Sequence, residues 1–164
     1  MIDFSKYLHY DSIRGVLIWT LGKRAGLVAG NKRMDGVIDV KVYGVLYKAH
    51  RIIWEMRYGP IPEGMVVDHR DGNKSNNRLD NLRLATHAQN IHNQRAFNSL
   101  GVKGVYRNRS SFASKIMVNK NFIYLGSFHT KGLAALAYAK ASIRHHGSFS
   151  IFMSAPKKAT IKLS

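Results

Sequence analysis

The segment from Met65 to Gln94, MVVDHRDGNKSNNRLDNLRLATHAQNIHNQ, constrains this chain more than any other. The β-branched pair Val66-Val67 runs into Asp68-His69, which predicts a strand ending on an acid and a histidine. Residues 70 to 80 form a polar loop, in which Asn73, Asn76 and Asn77 read as turn residues of left-handed or Asx geometry. Asn81-Leu82-Arg83-Leu84 is the return strand. Thr86 then opens a helix, with Gln89 three residues on in a capping-box pattern. Leu84, Ala88 and Ile91 are expected on the buried side of that segment, leaving Asn90 off the stripe to face a ligand.

Folded this way, the segment gathers an acid, a histidine and a distant amide into a small site. A histidine whose ordinary pKa is about 6.5 can take a proton from water near neutral pH, which makes His69 the candidate general base. Asp68 and the Asn90 carbonyl offer the oxygen ligands that a hard divalent cation prefers. With so few protein ligands the expected cation is Mg²⁺, with Mn²⁺ as the alternative, because positions remain for waters and phosphate oxygens. An EF-hand reading of the loop fails at Arg70, which stands where an oxygen ligand is needed. Zinc held by His69, His87 and His92 lacks cysteine and a typical spacing. His87 and His92 are read as surface histidines.

Charge says what such a site would meet. Twenty-six Lys and Arg against nine Asp and Glu give the 164-residue chain a net charge of +17, which favours a polyanionic partner. A membrane is the rival partner, but no segment approaches the roughly 20 apolar residues of a span, and no basic amphipathic helix stands out. The N-terminus MIDFSKYLHY lacks an apolar signal core, and there are no cysteines, so a cytoplasmic location is expected. The length allows one ordinary domain or two small ones, and 45% hydrophobic residues can build a core.

The order DH…N…N over residues 65–94 resembles the HNH nucleases, in particular the group encoded by phages and mobile introns. Their ββα-metal motif carries asparagine in place of the last histidine. The resemblance implies a metal-dependent DNA endonuclease of the phage homing type, hydrolysing phosphodiester bonds by nicking or double-strand cleavage. It also implies that Asn81 braces the loop carrying His69. Ahead of the site, Val16 to Trp19 reads as a strand and Gly26 to Gly36 as a basic, flexible loop. Val37 to Lys48 alternates as a hairpin turning at Tyr43-Gly44, and His50 to Tyr58 reads as a helix stopped by Gly59-Pro60. The pattern AHR-x-x-W ahead of a Pro-rich turn is similar to the lead-in of the same nucleases. His50 is given a structural role there, with an accessory catalytic role as the alternative.

Beyond Asn98 the pattern changes to three strands and a helix capped by Thr130 and ended by Gly147. Gly104-Val105, Tyr124-Leu125-Gly126-Ser127-Phe128 and the Ala-rich helix through Tyr138 resemble the APETALA2/ethylene-response DNA-binding domain. The plant domains carry Trp where Phe112 stands and Arg where Met117 stands. Alternation sends Phe112, Ser114, Ile116 and Val118 toward the helix and Ala113, Lys115 and Met117 to the other face, so Lys115 and Met117 should look outward. Ile123 and Leu125 are expected inward, with Phe122 and Tyr124 outward. Lys103, Tyr106, Arg107, Arg109, Lys115 and Tyr124 are the candidate contacts to double-stranded DNA, since a major groove admits strands as well as helices.

The expected architecture is α+β, a ββα-metal (HNH) nuclease module plus a three-stranded antiparallel sheet packed on one helix. The expected divisions are residues 1–97 for the nuclease part, 98–152 for the APETALA2-like domain and 153–164 for a basic tail. A monomer is expected over a dimer. The rival reading is a non-catalytic DNA-binding regulator that keeps the ββα fold as a scaffold.

Overall fold

A computed structural model describes residues 2–93 and 98–153 of the chain. Two compact units divide it, Met1–Asn90 and Ile91–Ser164. The first unit opens with a 3-10 turn at Phe4–Lys6 and a hairpin of β1 (Leu8–Asp11) and β2 (Val16–Trp19). A second antiparallel sheet follows, ordered β3 (Asn31–Lys32), β4 (Ile38–Val42) and β5 (Val45–Lys48). The β4–β5 turn falls at Tyr43 and Gly44, both with positive φ (49° and 81°), the combination a two-residue hairpin of matching twist requires. The stretch from Gly26 to Gly36 departs from a plain loop. Asn31–Lys32 pairs with β4, and Val28 bridges to Ile18, because the backbone there lies between two strands with unused hydrogen-bonding edges.

α1 (Ala49–Tyr58) buries Ile52 and Ile53 and ends at Gly59, whose N–H bonds the Glu55 carbonyl. It packs over a core formed by Phe4, Leu8, Leu17, Val40, Val67 and Leu82 with their neighbours. β6 (Met65–His69) and β7 (Leu82–Thr86) then form a two-stranded sheet in which Asp68 faces Arg83. Asn81 is not in the return strand, because a 3-10 turn at Leu79–Asn81 precedes β7. α2 (His87–Asn93) begins as expected, with the Gln89 N–H donating to the Thr86 hydroxyl and the Thr86 N–H to the Gln89 carboxamide. The burial expected for this helix does not hold. Ala88 and Ile91 are exposed and Asn90 is half-buried, since a seven-residue helix turns too little surface inward to bury a full stripe.

In the second unit β8 (Val105–Asn108), β9 (Ser111–Val118) and β10 (Asn121–Phe128) form an antiparallel sheet ordered β10-β9-β8. α3 (Lys131–His146) packs on it, with the Thr130 hydroxyl accepting from the Leu133 N–H and Gly147 at φ 52° closing the helix. Val105, Ser114, Ile116, Ala134 and Tyr138 are buried, and so is Ala113, which alternation places on the outward face but which lies in the central strand flanked by β8 and β10. Ile123 was expected inward but stays 39% exposed, because β10 is an edge strand and its register shifts between Tyr124 and Gly126. The backbone of Gly104 has φ 71°, and a Cβ there would collide with the ring of Tyr138. Gly104→Ala should therefore destabilise this unit by about 1–3 kcal/mol from overpacking, read as a lowered melting temperature. The junction residues 94–97 and the basic tail beyond Met153 lie outside the described residues.

Candidate active site

β6 and β7 set the site because strand pairing fixes which side chains face each other. Asp68 and His69 are both buried at the end of β6. Across the ladder, Arg83 reaches Asp68 Oδ2 with both Nε (2.9 Å) and Nη2 (2.8 Å). The two side chains are nearly inaccessible, at 7% and 6% exposure, so this is a desolvated, charge-assisted pair. The pairing with Arg83 was not foreseen in the sequence.

His69 Nε2 lies 2.8 Å from Asn77 Oδ1. An amide oxygen only accepts, so Nε2 carries the proton and Nδ1 keeps its lone pair. Burial lowers the His69 pKa against opposing contributions from Asn77, Asp68 and Asp71. The ring is consequently neutral at pH 7 and able to accept a proton. Asn77, expected to be a turn residue, is a 2% exposed partner of His69. Its spacing in a loop of several asparagines carried no signal for that role.

Asn81 is placed where it holds the loop. Its Nδ2 donates to Asp71 Oδ1 (3.0 Å) and to the Asn76 carbonyl (2.8 Å), and its Oδ1 accepts from the Asp71 N–H (3.1 Å). Tyr10, on β1, donates its hydroxyl to the Asn77 carbonyl and accepts from the Leu79 N–H. Ser75 and Lys74 tie the same loop to Gly36 and Asp35. These partners lie 39 to 69 residues from the loop in sequence, so no local pattern could reveal them.

His50 belongs to this neighbourhood as well. Its ring meets that of His69 edge-on, with centroids 4.9 Å apart and planes at 74°. It is buried, and burial together with the nearby positive groups pushes its pKa down to about 3. Asn90 sits half-buried on α2. Among the described residues no three His, Cys, Asp or Glu side chains gather as a metal cluster.

In the second unit, Lys115, Met117, Phe122 and Tyr124 are exposed as alternation predicts, and Tyr106 is exposed as well. Lys115 Nζ lies 4.3 Å from the Phe122 ring centre and 5.3 Å from that of Tyr106. Arg107 and Arg109 are exposed. Lys103 departs from the expected DNA contact. Its half-buried ammonium donates to the Ile91 and His92 carbonyls (2.6 and 3.0 Å), capping the end of α2, where cations complement the helix dipole. His92 is not a surface histidine either. It stacks on His146 at 3.6 Å, an arrangement favoured because burial keeps both rings neutral.

Residues 47–92 match the family described as HNH endonuclease. The matched stretch contains His50, Asp68, His69, Asn77, Asn81, Arg83 and Asn90. The chain is 46% identical over 70 residues to "Protein 3.8" of Escherichia phage T7, covering 40% of this chain and 58% of that protein. It is 37% identical over 79 residues to "DNA endonuclease I-HmuI" of Bacillus phage SP01, covering 48% of this chain and 39% of the relative. The matched segments thus span roughly half the length of these relatives. A solved structure titled "DNA binding and cleavage by the HNH homing endonuclease I-HmuI" aligns over 53% of this chain and 51% of that one, with 27% identity and a TM-score of 0.44.

Proposed function

We propose that the chain is a metal-dependent DNA endonuclease of the phage homing type, hydrolysing phosphodiester bonds of double-stranded DNA. The observation that carries this reading is the neutral, buried His69 with Nε2 held by Asn77, inside the stretch that matches the HNH family. His69 takes the proton of the attacking water at Nδ1, while Asn77 fixes the tautomer and Asn81 holds the intervening loop. Asp68 and Asn90 offer hard oxygen donors, and two such ligands suit a cation that keeps waters and phosphate oxygens, which favours Mg²⁺. When bound, that cation supplies the sink for charge developing on the phosphate and the departing oxygen. Arg83 aligns the Asp68 carboxylate through the charge-assisted hydrogen bond from Nε and the ion-pair contact of Nη2, both to Oδ2.

In this reading β6, β7 and α2 are the ββα-metal core, within a nuclease part at residues 1–97. Residues 98–152 are an APETALA2-type domain that positions it on duplex DNA. Support for the second assignment is the three-stranded sheet on one helix, with Tyr106, Lys115 and Tyr124 on its exposed face. Arg107 and Arg109 extend the basic surface. The enzyme acts as a monomer in the host cytoplasm. No helix among the described residues is long and apolar enough to cross a membrane.

Supercoiled plasmid incubated with the protein, with and without Mg²⁺, tests the activity. Nicked circles or linear DNA only with Mg²⁺ is the expected result, and unchanged plasmid under every divalent cation overturns it. Binding should also depend strongly on salt. If roughly eight phosphates are neutralised, log K should fall against log salt with a slope of about −7.

A further inference from the structure

Two side chains on the sheet of the second unit have no role in the reading above. Met117 and Phe122 face each other across β9 and β10, and remain 43% and 60% exposed. Residues paired across a sheet share a face, so Lys115 and Tyr124, two positions along, lie beside them. Tyr106 joins from β8, paired with Ala113 of the same face, and the Lys115 ammonium lies over its ring and that of Phe122. The middle of this face is therefore apolar and aromatic around one cation. Solvation alone gives a sheet no use for such a surface, and contiguous exposed apolar patches mark interaction sites. The ends of the face are different. Arg109 sits in the β8–β9 turn and Lys120 in the β9–β10 turn, both exposed, at opposite ends of the eight-residue β9. All nine acidic residues of the chain lie at or before Asp80, so the side chains of Ile91–Ser164 carry positive charge with no opposing carboxylate.

We propose that Met117 and Phe122 are specificity-determining residues that read thymine C5-methyl groups in the major groove of the duplex target. This rests on the reading of the second unit as the part that meets duplex DNA. A strand of eight residues is about 25 Å long, roughly twice the 12 Å width of a major groove. Arg109 and Lys120 at its ends therefore reach the two phosphate walls, while its middle stands over the groove floor. Contacts to phosphate fix register and carry no sequence information. Base edges in the floor present mainly hydrogen-bonding groups, which a thioether and a phenyl ring cannot answer. The thymine methyl is the apolar group that these two side chains can cover. Lys115, its ammonium drawn over the rings, places donors beside them for an acceptor such as thymine O4. The face thus separates reading from holding. Its apolar centre selects A·T pairs, and its cationic ends supply affinity.

The test uses the full-length protein, without divalent metal, on two forms of one duplex pool. Random-sequence duplexes retained by the protein are amplified once with thymidine triphosphate and once with deoxyuridine triphosphate, which removes only the methyl. The retained pool should be enriched in A·T pairs. Its uracil form should bind more weakly, by about fourfold for each methyl lost from the contact. The salt slope should be the same for both forms, since no phosphate contact changes. Met117→Ala combined with Phe122→Ala should lower binding of the thymine form to that of the uracil form, again with the parent's slope. If circular dichroism shows that the double variant does not fold, each single variant should narrow the gap by itself. Equal binding of the two forms by the parent protein overturns the proposal and leaves the endonuclease reading intact. Folded variants that still separate the forms as the parent does overturn the assignment to Met117 and Phe122. Tighter binding of single strands than of duplex gives the face to unpaired bases and overturns it as well. Failure to retain any duplex strikes instead at the reading of the second unit on which the proposal rests.

Discussion

His69→Ala should leave a folded protein that binds duplex DNA and fails to cut it. The ring's Nε2 is already committed to Asn77, so in the proposed reaction Nδ1 is the atom that takes the water's proton. Among the described residues, His50 beside it is held to a pKa of about 3 and is a poor replacement base. Losing a general base typically lowers the rate about 10²–10⁴-fold. Affinity should change little, since the phosphate contacts proposed for the exposed cations of the second unit carry no part of the proton transfer. A plasmid-nicking time course beside a gel-shift titration reads both quantities. An alanine variant that nicks at the parent's rate removes His69 from the mechanism.

Arg83→Ala should produce the largest loss of stability of any single change in the site. Asp68 and Arg83 are both buried, and two guanidinium nitrogens share one carboxylate oxygen at 2.8 and 2.9 Å. Removing one member of such a pair leaves the other charge in a poorly solvated place, at a cost of about 3–5 kcal/mol. Replacing both residues together by apolar ones of similar volume should cost far less, because no charge is then stranded. Thermal melting of the single and paired variants separates these cases. Equal melting temperatures for Arg83→Ala and the parent would show that the pair carries no such energy.

The legibility of the chain follows the range of its interactions. Local chemistry was readable: the Thr86–Gln89 capping box, the Tyr43-Gly44 turn and the Thr130 cap are each written within four residues. The Asp68-His69 pair was readable because a strand delivers both to one end. Asn77 was not, since its bond to His69 depends on how an asparagine-rich loop folds back on itself. Nor was the fixing of that loop by Tyr10 and Asp35, which come from elements far earlier in the chain. Lys103 shows the opposite error. Its charge suggested a phosphate contact, while the fold uses it to end a helix. A composition of +17 tells which partner is attracted, and not which lysines meet it.

The Asp68–Arg83 pairing has a consequence for how β6 finds β7 in the first place. The two residues are directly opposite in the ladder, flanked by His69 against Leu82 and Val67 against Leu84. Sliding one strand by a single position would set Asp68 against an aliphatic side chain and send every other residue to the wrong face. Misaligned hairpins would therefore carry a stranded carboxylate, while the aligned one does not. The pair acts as an error check on assembly, so the alignment that satisfies the charges is the one that brings His69 to its loop.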